Sequence, residues 1–115
     1  MKYLFLLYAD ESKMPAPGSP EMDKQQGAYG AFYEEVSGAG LFTAGDPIHA
    51  SAQAHTVRSR GGAVDAKAGP FATGSDQIIG FYVLDVASED DAIKYAAKIP
   101  AAQVGAVEVR PIVQM

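Results

Sequence analysis

Ala68-Gly69-Pro70-Phe71-Ala72-Thr73-Gly74-Ser75-Asp76-Gln77-Ile78-Ile79-Gly80-Phe81-Tyr82-Val83-Leu84-Asp85-Val86 is a turn that feeds a strand. Gly69-Pro70 and Gly74-Ser75-Asp76 are turn chemistry: glycine tolerates positive φ, proline fixes its own φ, and Ser and Asp side chains bond their own backbone. Ile78 to Val86 is β-branched and aromatic and apolar on both alternating faces, the pattern of a strand covered on both sides. A constrained loop therefore opens into a central strand, and the mouth of that loop is the place to look for a site.

Lys2 to Ala9 has the same character, with Tyr3, Phe5 and Leu7 on one face and Leu4, Leu6 and Tyr8 on the other. Two central strands are thus expected. Asp10 to Gly18 is a surface loop, and Ser19-Pro20-Glu21 starts a helix with an N-cap, a first-turn proline and an acid near the positive end of the dipole. Met22, Tyr29, Phe32 and Val36 form one stripe along it to about Ser37, where Gly38 and Gly40 end it. Leu41 to Ala44 resumes extended apolar character until Gly45-Asp46-Pro47 interrupts it. Ala54 to Arg60 alternates like a half-buried strand, and Gly61-Gly62 is a hairpin signal joining it to Ala63–Lys67. Ser88-Glu89-Asp90-Asp91 resembles a capping box before a second helix of about three turns that Pro100 should stop. Ala106 to Gln114 alternates, and Pro111 marks it as an edge strand.

The order strand, helix, strand plus hairpin, strand, helix, strand is the split βαβ, ferredoxin-like α+β motif with an antiparallel sheet. Strands 2–9 and 78–86 take its centre, and 54–60 and 106–114 are expected at its edges. Two helices cover one sheet face only, yet both central strands are apolar on both faces, so a homodimer through the sheet faces is expected. The plainer alternative folds loops 10–18 and 41–53 over the bare face, but these hold few large apolar groups.

A chain of 115 residues with 48% hydrophobic content suits one domain over 1–115. Its net charge of −5, with nine scattered cations, supplies no footprint for nucleic acid or anionic lipid. No run approaches a membrane span, and Tyr3 to Tyr8 is too short for a signal core, so a cytoplasmic protein is expected. The absence of cysteine removes thiolate ligands and a Cys nucleophile. The Gly74 and Gly80 pair is no phosphate loop, and no cofactor or metal is expected.

Four motifs carry a resemblance: Met1-Lys2-Tyr3-Leu4 leading to Tyr8-Ala9-Asp10-Glu11; Gly69-Pro70-Phe71-Ala72; Gly80-Phe81-Tyr82; and Pro100-Ala101-Ala102 through Gly105 to Pro111. Together, in order and spacing, they resemble the YCII-related family in its DGPF-motif branch, over nearly the whole chain. The resemblance implies a ferredoxin-like domain pairing into a dimeric α/β barrel with a small-molecule cleft that is a candidate active site. The chain departs from the motif at Ala68, where an aspartate usually stands, and at Thr73 and Ser75, where an acid and a base usually follow; Asp76 keeps its charge. Asp65 lies three residues upstream of Ala68, an odd offset that reverses its face on a regular strand.

Asp46 and His49 share one loop, where a carboxylate could fix the imidazole tautomer and leave its other nitrogen free for proton transfer. Relatives are associated with a His-Asp pair, which no motif here matches to His49. The plainer reading makes Asp46 an Asx-turn residue and His49 a solvated one. His55 reads as a surface or dimer contact, and a His49/His55 metal site lacks any spacing signature. Arg110 could hold a carboxylate or phosphate, or pair with Glu108. Tyr8 and Tyr82 offer hydroxyls but have strand spacing that also suits core. The expected cleft is lined by Tyr8, Phe71, Tyr82 and Arg110, with Asp65 and Asp76 as candidate carboxylates. One reading is then a small-molecule enzyme using Asp46 and His49. The other is a non-catalytic ligand-binding or regulatory module, since members of this branch resemble accessory partners of alternative sigma factors. A third is a purely structural dimer with no pocket.

Overall fold

Strand β1 (Lys2–Asp10) alternates without interruption: Tyr3, Phe5, Leu7 and Ala9 are buried while Leu4, Leu6 and Tyr8 are half-buried. The computed structural model describes residues 1–115, and this strand lies at the middle of its main sheet. Helix α1 (Pro20–Gly38) follows, with the Ser19 hydroxyl accepting the Met22 amide at 3.1 Å and Glu21 and Asp23 in its first turn. Its stripe buries Phe32 and Val36 against the sheet. Strands β2 (Phe42–Pro47), β3 (His55–Arg60), β4 (Ala63–Ala68) and β5 (Asp76–Asp85) come next, then α2 (Glu89–Ala96), the short α3 (Ala101–Val104) and β6 (Ala106–Pro111).

The main sheet has the order β2-β5-β1-β6, antiparallel throughout, which is the ferredoxin-like arrangement with β1 and β5 at its centre. In register, Tyr3 faces Leu84, Phe5 faces Tyr82, and Val109 lies beside Phe5. These side chains all point to the helices, where Phe5, Leu84, Ile99 and Val36 are fully buried. The Tyr82 ring packs on Phe32 with centroids 5.1 Å apart. The opposite face carries Leu4, Leu6, Phe81 and Val83, all half-buried, with no helix packed across it. The molecule is accordingly thin, with principal extents of 47 × 43 × 19 Å. No helix is long and apolar enough to cross a membrane.

Three expectations are corrected. Residues 54–60 are not an edge of the main sheet: β3 pairs only with β4, in a separate hairpin, and β2 takes the edge beside β5. The extended run Leu41–Ala44 continues through Gly45 because a glycine there lets the Tyr82 ring lie against the backbone; a Cβ would sit 2.6 Å from its Cδ1. The Ile48 amide then donates to the Ile79 carbonyl at 3.0 Å and prolongs the edge past Pro47. Second, α2 ends at Ala96 and Pro100 begins a further helical turn instead of terminating one, since proline suits the start of a helix. Third, β6 stops at Pro111, well short of Gln114.

The β1–β5 register slips between Leu7 and Tyr8: Leu7 faces Gly80 and Tyr8 faces Ile78, so Ile79 is the extra residue of a bulge. Bulges re-aim side chains and gather beside sites. Tyr8 is the residue that follows this one.

Candidate functional site

The end of β1, the start of β5 and two intervening loops enclose a cavity of about 430 Å³. Tyr8 and Ile78 come from the paired strands, with Asp76 and Gln77 beside them. Ile48, His49 and Ser51 come from the loop after β2, and Pro70, Phe71 and Ala72 from the turn before β5. The lining is mostly apolar, with an imidazole, a carboxylate and a phenol among it.

Each wall is held by bonds that link distant parts of the chain. The Glu11 carboxylate receives the Ser51 amide at 2.7 Å through one oxygen and the Ser51 hydroxyl through the other, fixing the His49 loop to the end of β1. The Gln77 side-chain amide donates to the carbonyls of Ala72 (2.9 Å) and Gly74 (2.8 Å), which shapes the turn. Gly69, at φ 110°, donates its amide to Ala54 at 2.7 Å, and Thr56 Oγ1 donates to the Gly69 carbonyl at 3.0 Å. These bonds close the base of the β3–β4 hairpin beside the cavity. Phe71 is 74% exposed at the rim, and the Arg58 guanidinium stands 5.3 Å from its ring centroid.

The electrostatics follow from these partners. Tyr8 donates its hydroxyl to Glu108 at 3.1 Å, and its pKa is raised, first by desolvation and then by that bond and the Glu108 charge. The bonds from Ser51 hold Glu11 below the usual carboxylate range, and those from Ser12 do the same for Asp10.

Of the candidate residues, Tyr8, His49, Phe71 and Asp76 meet at this cavity. Asp46 does not: it lies opposite Phe81 on the open face of the sheet and makes no hydrogen bond to His49. Tyr82 points to the helix side, where burial raises its pKa. Asp65 lies on the hairpin opposite Arg58, with its nearest cation Lys67 at 3.8 Å. Arg110 lies on the open face beside Leu4, two residues along β6 from Glu108. His55 opens β3 opposite Ala68. No three His, Asp or Glu side chains gather as a metal site would need.

Sequence reading did not single out Glu11, Ser51 or Gln77. Gln77 had a local signal, a long amide just after the Gly74-Ser75-Asp76 turn. The Glu11–Ser51 clamp spans 40 residues and had none.

What has been assembled is a mostly apolar recess with an imidazole, a carboxylate and a phenol on its lining. It can hold a small ring, hydrogen-bond its substituents and move a proton.

The strand order and the crossover helices define a ferredoxin-like α+β domain with a hairpin inserted between its second and third sheet strands. The chain belongs to the YCII-related domain family, whose model matches residues 1–115. It is 32% identical over 114 residues to an uncharacterized protein of Rhizobium meliloti (strain 1021), across 97% of this chain and 92% of that one. Among solved structures it is similar to the 5-chloro-2-hydroxyhydroquinone dehydrochlorinase of Burkholderia phenoliruptrix AC1100, in complex with 2,5-dihydroxybenzoquinone. The TM-score is 0.56 at 16% identity, covering 100% of this chain and 96% of that one. That likeness is one of fold.

Proposed function

We propose that this protein, of the DGPF-motif branch, binds a small ring compound bearing hydroxyl or carbonyl groups in the cavity between the His49 loop and the Phe71 turn. The observation that carries this is the convergence of Tyr8, His49 and Asp76 in a mostly apolar recess of about 430 Å³, a size suited to one small ligand. Phe71 supplies a stacking face, Tyr8 and Asp76 orient polar substituents, and His49 moves a proton on or off the ring oxygen. The fold neighbour, solved with a hydroxylated quinone, guides the choice of probes.

A second reading, a non-catalytic binding or regulatory module, draws support from Ala68 at the motif position of the aspartate and from the absence of a hydrogen-bonded pair of ionisable groups across the cavity. One experiment separates the two. A panel of hydroxylated benzenes, benzoquinones and aromatic acids is titrated into labelled protein by amide NMR, and each binder is then followed by absorbance for turnover. Shifts confined to residues 48–54, 70–72 and 76–78, with turnover lost in His49→Ala, establish the enzyme. The same shifts without turnover establish the module, and shifts elsewhere remove the cavity from both.

We further assign the bare sheet face to a homodimer. Leu4, Leu6, Phe81 and Val83 are already half-buried in the single chain, and covering what remains exposed of each contributes a part of the about 1.5–3 kcal/mol that full burial of such a side chain supplies.

A further inference from the structure

The rest of the chain makes little use of the β3–β4 hairpin. Every residue from Val57 to Ala68 is exposed, with Val57 at 62% and Val64 at 72%. The hairpin is nonetheless well specified: Gly61 and Gly62 have φ of 55° and 83°, the two positive angles of a type I′ turn, and all six residue pairs from His55–Ala68 to Arg60–Ala63 are in register. A lone two-stranded ribbon is only marginally stable in water, so a ribbon this regular points to a surface that covers it. It also projects. The radius of gyration is 16.0 Å, against about 13 Å for a compact chain of this length.

We propose that this hairpin is a dimer arm. In the homodimer assigned above, on which the inference rests, each arm lies along the margin of the second copy's open sheet face with Val57, Val64 and Ala66 inward. The register puts these three side chains on one face of the ribbon and Arg58, Arg60 and Lys67 on the other.

Charge and area both select a second copy as the occupant. The arm holds three of the chain's nine cations and one of its fourteen acids, so it carries +2 while the remainder of the chain carries −7. The margin it meets is acidic: one row across the open face reads Asp46, Phe81, Leu6, Glu108, and the end of that face pairs Asp10 with Asp76. Arg58 stands over Phe71 and Lys67 lies 3.8 Å from Asp65, so Arg60 is the arm's cation left to reach round to such carboxylates. A four-stranded face of this length offers a footprint of about 400 Å², half of the roughly 800 Å² per partner of a stable interface. The arm given adds about 200 Å² by the same strand spacings, and the arm received covers margin already counted in the face, so the arm brings the contact to about three quarters of that standard area.

The test is the dimer dissociation constant of the full chain by sedimentation equilibrium, for wild type, Val57→Asp, Val64→Asp, Arg60→Glu and Leu6→Asp. Both valines are exposed in the protomer and outside its main sheet, so the aspartate substitutions leave the sheet and helices folded, which circular dichroism checks. Val57→Thr and Val64→Thr, which keep the strand preference, should leave the dimer within about threefold of wild type. The arm predicts that Val64→Asp and Val57→Asp each raise the constant at least about tenfold, and that Arg60→Glu raises it more at low salt than at high. Wild-type affinity in both valine variants, with dissociation by Leu6→Asp, overturns the arm and leaves sheet pairing standing. A wild-type chain that stays monomeric at high micromolar concentration overturns both.

Discussion

Burial strands the Tyr29 hydroxyl: it lies near the Ala101 backbone without completing a hydrogen bond, and burial pushes its pKa up to about 12. Removing an unpaired buried polar group relieves its desolvation, so Tyr29→Phe should leave stability unchanged or raise it by up to about 1 kcal/mol in urea unfolding. A loss of stability would mean that the hydroxyl is bonded after all. Glu11 presents the reverse case, a carboxylate with two donors from Ser51. Its folded pKa is depressed, so its contribution is present above the unfolded value and is lost as pH falls through the folded one. The Ser51 amide proton should therefore titrate with a midpoint below the ordinary 4.5 of a glutamate. In Glu11→Gln that titration should vanish and Ser51 should exchange several-fold faster. A midpoint at 4.5 or above would refute the clamp. Glu11 also shows why the site is half legible. Phe71 and Asp76 sit in a turn whose chemistry is local, and Tyr8 sits in a strand whose alternation is local. What fixes His49 is a bond across 40 residues, and short-range patterns carry no trace of it.

Elements that are apolar on two faces, β1 and β5, identify themselves, as does a helix with Ser19-Pro20 at its start and Phe32 and Val36 on its stripe. Edges are harder because an edge strand and a free hairpin share one alternation. His55–Arg60 reads the same whether β5 or β4 lies beside it, and the choice was decided by Gly45, whose bare Cα admits the Tyr82 ring. That argument is testable. Gly45→Ala places a methyl 2.6 Å from Tyr82 Cδ1 and 3.0 Å from the Phe81 carbonyl, and should cost about 1–3 kcal/mol through displaced packing. Gly27 and Gly30 of α1 make the contrast, since a Cβ at either meets nothing within 4 Å. Alanine there removes backbone freedom from the unfolded chain and should add about 0.5–1 kcal/mol at each position. Urea midpoints moving in opposite directions at Gly45 and Gly30 would bear this out; equal effects would show that the β2 edge is not set by the Tyr82 contact.

At the scale of the molecule, a body 19 Å thick has room for one sheet and one helix layer, and no helix covers its second sheet face. The homodimer proposed above is the partner assigned to that face. If two copies cover each other's open faces, folding and association are linked, and unfolding the dimer releases two chains. Mass action then makes the melting temperature depend on protein concentration. An enthalpy of about 0.7 kcal/mol per residue gives roughly 160 kcal/mol for the dimer, so a hundredfold rise in concentration should raise the melting temperature by about 6 °C. A monomer with a loop folded over the sheet would melt at one temperature at every concentration. Replacing Leu6 with Asp should remove the concentration dependence together with the dimer. The variant should then melt at or below the wild type's value at the lowest concentration, because an acid at the middle of that face abolishes pairing while Phe5, Leu84, Ile99 and Val36 keep the helix side closed. A wild-type melting curve that does not move with concentration would leave the open face without a second copy, and the thinness of the body without an explanation.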